Sequence, residues 1–134
     1  MACKSIIKNY NCIYTSTNSI NTKLSTIISL INVEIRVLYS EYTLISYFPW
    51  LHDSSIKMMS IIFETELNGN TLNILIENGT TNTIIKNIYT NNDGFYEIFF
   101  DVPNNNSRLK FSVQKNISNG NDPQIFGINL KLYK

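Results

Sequence analysis

The stretch that decides the fold is NNDGFYEIFFDVPNNNSRLKFSVQK, residues 91–115. After the turn Asn91-Asn92-Asp93-Gly94, side chains of an extended chain alternate between two faces. Tyr96, Ile98, Phe100 and Val102 then share one face, and Phe95, Glu97, Phe99 and Asp101 share the other. The first set reads as a core face and the second, with two carboxylates, as a half-solvated one. Pro103-Asn104-Asn105-Asn106 breaks the run, since proline cannot donate to a strand ladder and Asn favours turns. From Arg108 to Lys115 the alternation resumes, with Leu109, Phe111 and Val113 set against Arg108, Lys110, Ser112 and Gln114.

The same rhythm extends in both directions. Ile56 to Leu67 reads as a long strand, and Asn68-Gly69 suits the two left-handed positions of a type I′ turn, which predicts a hairpin to Thr71–Glu77. At that turn Gly69 carries the conformational demand, while Asn70 only flanks it. Asn78-Gly79-Thr80 ends the strand, Thr83 to Tyr89 forms the next, and Asn119-Gly120-Asn121-Asp122-Pro123 leads to the last one. There Phe126, Ile128, Leu130 and Leu132 are expected to face the core, alternating with Gly127, Asn129, Lys131 and Tyr133. Lys23 to Phe48 is ambiguous, because Leu24, Ile27, Ile28, Ile31, Ile35 and Leu38 also fit one face of a helix. The period-two run Val33-Glu34-Ile35-Arg36-Val37 and the β-branched content favour strands. Eight or nine strands, with turns about every ten residues and no βαβ alternation, predict an all-β, antiparallel two-sheet β-sandwich of jelly-roll type.

A chain of 134 residues suits one domain, expected over 23–134 behind an extended arm at 1–22. A formal charge of +1, with 16% charged residues, supplies no electrostatic reason to bind nucleic acid. The 21 Ile and 20 Asn against 2 Arg point to an A/T-rich gene, so Asn abundance is not itself a sign of binding. The apolar-leaning runs Leu24–Val33 and Tyr42–Leu51 are about half the ~20 residues of a membrane helix, so no membrane span is expected. Met1 to Lys8 lacks the apolar segment of a secretory signal. A place on an outer cell, spore or particle surface would therefore require another route.

Chemistry-bearing residues are sparse. His52 stands alone, and one histidine makes neither an ordinary zinc site nor a proton relay. Glu64 and Glu66 share a strand face, as do Glu97 and Asp101. Such pairs could act as acid and base on a glycoside, although solvated sandwich faces commonly carry them. Asn91–Gly94 and Asn119–Asp122 offer oxygen ligands of the kind calcium takes, without EF-hand spacing. No catalytic residue, metal site or cofactor is expected.

Two resemblances follow. The ending Ile125-Phe126-Gly127-Ile128-Asn129-Leu130-Lys131-Leu132-Tyr133 resembles the closing strand of jelly-roll carbohydrate-binding modules, which implies carbohydrate as a partner, met by exposed Tyr or Trp50. The segment Met1 to Thr22 is polar, free of Gly and Pro, and carries both cysteines, Cys3 and Cys12. Extended, about 20 residues reach roughly 65 Å, more than the ~30 to 40 Å width of such a domain, enough to meet a neighbouring copy. Cys3, Ile7, Tyr10, Cys12, Ile13 and Tyr14 are the candidate assembly residues of this arm, with strand character suited to an open sheet edge. This layout resembles the disulfide-stapled jelly-roll subunits of bacterial endospore appendage fibres, which implies a staple through Cys3 and Cys12. The sequence thus points to a noncatalytic structural protein that assembles with other copies of itself into a fibre, coat, capsid or crystalline array, with a carbohydrate-binding module as the alternative.

Overall fold

The computed structural model describes residues 12–14 and 23–134. The described residues form nine strands: β1 (Cys12–Tyr14), β2 (Leu24–Arg36), β3 (Thr43–Trp50), β4 (Met58–Glu66), β5 (Leu72–Asn78), β6 (Ile84–Thr90), β7 (Gly94–Phe100), β8 (Ser107–Lys115) and β9 (Gln124–Tyr133). Antiparallel pairs β2 with β9, β3 with β8, β4 with β7 and β5 with β6 make residues 24–133 one long hairpin, with its tip between β5 and β6. Rolled up, the hairpin closes through β4–β9 and β5–β8 contacts. The result is a jelly roll, with sheet orders β1-β7-β4-β9-β2 and β3-β8-β5-β6. The expected all-β sandwich is therefore present, and residues 24–36 are strand rather than helix.

Between the sheets lie Met59, Ile61 and Phe63 of β4, Tyr96, Ile98 and Phe100 of β7, Ile74 and Ile76 of β5, and Leu109 and Phe111 of β8. Phe63 stacks on Tyr96 at 5.1 Å between ring centroids. The expected core face of β7 is thus correct, with Val102 packed at its margin. Its other face is not half-solvated: Phe95 is 2% exposed and Glu97 1%, while Asp101 alone of that set is exposed. β7 lies inside its sheet, between β1 and β4, so it lacks the open flank of an edge strand.

Three further expectations change. Asn68 (φ 52°) and Gly69 (φ 80°) adopt the left-handed pair, and the Asn70 N–H donates to the Leu67 carbonyl at 3.0 Å. No β4–β5 hairpin results, because β7 and β9 already occupy both sides of β4, so the turn carries the chain across to the other sheet. Asn70 does more than flank this turn. It is 4% exposed, with its side chain bonded to the loop after β8. In β9 the inward residues are Ile125, Ile128, Leu130 and Leu132, not Phe126. Gly127 at φ 58° and a register shift against Ile62–Glu64 mark a bulge there that reverses the alternation.

Candidate assembly surface

β2 and β3 are outer strands of the two sheets and touch along one side of the sandwich. β3 tolerates Pro49 because only one of its flanks is paired, to β8. This side is apolar where it meets solvent. Ile27 is 54% and Val33 62% exposed on β2, with Leu24 nearby. Leu38, Tyr39 and Tyr42 follow in the connection, then Leu44 and Tyr47 on β3. Between the two strands runs a groove of about 300 Å³, lined by Ile31, Ile35, Leu38, Tyr39, Leu44 and Val113 among others.

Scattered exposed hydrophobic residues are ordinary, but a run of them over one groove marks an interaction surface. β2 shows three register shifts against β9, and such irregularities disfavour simple addition of another strand. Side chains rather than the backbone edge are therefore the natural contact. The signal in the sequence was the lack of clean alternation in 24–38, where apolar residues fall on both faces.

Of the candidate arm residues, Cys12, Ile13 and Tyr14 form β1, which pairs in parallel with Phe95, Tyr96 and Glu97 on the β7 flank of the chain's own sheet. Cys3, Ile7 and Tyr10 lie outside the described residues, and with Cys3 the suggested staple.

The chemical candidates are absorbed by structure. Trp50 is 3% exposed, and its indole N–H donates to the Pro103 carbonyl at 3.0 Å, so it presents no flat face to a sugar. His52 Nδ1 lies 3.2 Å from the same carbonyl, and its backbone N–H donates to Asn106 Oδ1 at 2.7 Å. Asp93 accepts the Leu67 N–H at 2.7 Å, and Asp122 pairs with Lys115 at 2.9 Å, so both candidate calcium turns spend a carboxylate on the fold. No group of three or more His, Cys, Asp or Glu among the described residues could hold a metal ion.

The carboxylate pairs divide by environment. Glu64 is buried and Glu66 half-buried, while Glu97 is buried and Asp101 exposed. Glu97 Oε2 accepts from the Tyr133 hydroxyl at 2.7 Å, the Ser60 hydroxyl at 3.1 Å and Lys131 Nζ at 3.3 Å. Burial, and then the carboxylate it faces, raise the Tyr133 phenol well above its usual value of 10.0. A carboxylate so enclosed is a structural acceptor rather than an acid or base facing a substrate. Sequence reading missed this cluster because its four members come from three strands.

No protein-family model matches the sequence, and no curated protein matches it. Two solved structures are similar in fold. One is a chain of the infectious bursal disease virus VP2 subviral particle, with a TM-score of 0.52 at 12% identity over 99% of this chain. The other is from the T13 infectious bursal disease virus particle, with a TM-score of 0.43 at 11% identity over 100% of this chain. This chain spans 37% and 39% of those two chains. The first likeness concerns the β-sandwich fold, and that neighbour is neither a spore appendage subunit nor a carbohydrate-binding module.

Proposed function

We propose that this chain is a noncatalytic structural subunit that assembles with copies of itself, as in a shell, coat or array. The observation that carries the reading is the apolar β2–β3 side, where exposed Leu38, Tyr39 and Leu44 line a groove and Ile27 and Val33 stand exposed on β2. Water wets such a surface at a cost of about 25 cal/mol per Å² of apolar area relative to burial, so association through it is favourable. A net charge of +1 opposes self-contact weakly. The VP2 chain of similar fold is the subunit of a subviral particle, which supports an assembling role without specifying its geometry.

Negative-stain microscopy and light scattering of the purified full-length chain test the reading. Regular polymers or closed particles support it, provided they are lost in the double variant Val33→Lys, Leu44→Lys. A strictly monomeric chain at high concentration overturns it.

A further inference from the structure

Asparagine precedes glycine at Asn68-Gly69, Asn78-Gly79 and Asn119-Gly120. Such a pair can modify itself, because a glycine nitrogen, with no side chain beside it, can close onto the asparagine side-chain carbon. The step has two needs. The glycine N–H must be free to lose its proton to base, and donors must face the side-chain oxygen as negative charge develops on it.

Asn78 meets only the second need. Its Oδ1 accepts the Thr80 N–H at 2.9 Å and the Thr81 N–H at 3.3 Å, but the Gly79 N–H is committed to the Arg108 carbonyl. Asn68 meets only the first. No described donor reaches its Oδ1, and its Nδ2, the group that must leave, donates to the Asp122 carbonyl at 2.9 Å. The left-handed turn at φ 52° and 80° holds that pair further.

Asn119 meets both. Its Oδ1 accepts from Asn70 Nδ2 at 3.1 Å and from the Asn121 N–H at 2.9 Å. The buried Lys115 ammonium donates to the Asn119 carbonyl, which belongs to the peptide bond whose nitrogen must attack. Electron density drawn toward that carbonyl acidifies the Gly120 N–H, which has no partner among the described residues. Both residues are exposed, and a Cβ at Gly120 would meet nothing within 4 Å, so base and water have access.

We propose that Asn119-Gly120 is a self-modification site whose only co-reactant is water. Gly120 N, its proton lost to base, bonds to Asn119 Cγ, and the Cγ–Nδ2 bond breaks to release ammonia. Water then adds to either carbonyl of the resulting succinimide. Cleavage of the new N–Cγ bond leaves aspartate, and cleavage of the original peptide bond leaves isoaspartate, with Gly120 N regaining its proton in both. Lys115 polarises the original carbonyl and so favours isoaspartate. Either product adds a carboxylate beside Lys115 and Asp122 and cancels the formal net charge of +1. Isoaspartate also lengthens the loop backbone by a methylene, loosening its hold on Asn70. The inference stands independently of the assembly proposal.

Ageing the full-length protein in mildly alkaline buffer, folded and in urea, tests the site. Peptide mapping by mass spectrometry, with fragmentation that separates isoaspartate from aspartate, reads all three pairs. In the folded chain Asn119 is expected to react at least as fast as in urea, while Asn68 and Asn78, which must await local opening, react at least about tenfold slower than in urea. Gly120→Ala, whose methyl group has room, should suppress modification at Asn119 and leave the other two rates unchanged. Folding that slows Asn119 as much as the other pairs overturns the proposal. So does undiminished modification of Asn119 in Gly120→Ala, which would show direct hydrolysis in place of attack by Gly120 N.

Discussion

The side chain of Asn70 grips both backbone groups of Ile117: Oδ1 accepts the Ile117 N–H at 3.1 Å, and Nδ2 donates to the Ile117 carbonyl at 3.0 Å. It thereby imitates a strand neighbour for a loop that has none. Further bonds to Asn119 Oδ1 and the Asn121 carbonyl, and from the Thr71 N–H, tie the β4–β5 turn to the β8–β9 loop.

Asn70→Ala is therefore expected to cost about 2 to 4 kcal/mol, since it removes together the several part-buried hydrogen bonds that this buried side chain makes. Asn70→Ser, too short to reach, should cost nearly as much. Gly69→Val adds strain at φ 80° and should also destabilise. Denaturant midpoints at constant m-value compare the three, and a change below about 0.5 kcal/mol for Asn70→Ala would refute the clamp.

Both faces of β7 are buried, so both should be costly to hollow out. Phe100→Ala, on the core side, and Phe95→Ala, on the outward side, are each expected to lose about 3 to 5 kcal/mol. Ile98→Val, which deletes one methyl between them, should lose about 1 kcal/mol. A negligible loss at Phe95 in chemical denaturation would show its face to be wet after all.

These residues show what local pattern carries and what it does not. Alternation in Gly94–Val102 and Arg108–Lys115 reveals strands and core faces because side chains alternate in any sheet. That the opposite face of β7 is buried too, at Phe95 and Glu97, is set by tertiary packing that local alternation does not carry. Asn68-Gly69 announces its left-handed turn through backbone preference, but hairpin or crossover depends on which strands occupy the flanks of β4. Gly127 likewise hides a bulge that moves Ile125 inward and Phe126 outward. The exposed apolar side of β2 and β3 reads in the sequence only as blurred periodicity, since exposure is a property of strand order.

Gly79 is a close-approach position. Its N–H donates to the Arg108 carbonyl, and a Cβ there would lie 2.8 Å from that same oxygen. Backbone atoms cannot yield as a flexible side chain can, so Gly79→Ala should cost about 1 to 3 kcal/mol. Gly120→Ala, where a Cβ meets nothing within 4 Å, serves as the control. Equal thermal midpoints for the two variants would contradict the packing.

Alkaline pH should act through Tyr133. Its phenol is raised in the folded state by burial and by Glu97, whereas in the unfolded chain it titrates near its usual 10.0. The folded state therefore holds no fewer protons than the unfolded one. The contribution is fully present below about pH 10, and above it the unfolded state sheds the proton first, so stability falls as pH rises. Tyr96, raised chiefly by burial, adds in the same direction. The slope should approach about 1.4 kcal/mol per pH unit for each such tyrosine. Tyr133→Phe should be less stable at pH 8, having lost the 2.7 Å hydrogen bond to Glu97, yet decline less steeply between pH 10 and 11.5 in guanidinium titrations. Parallel declines for the two proteins would mean that Tyr133 ionises freely in the folded state and that its face lies open to water.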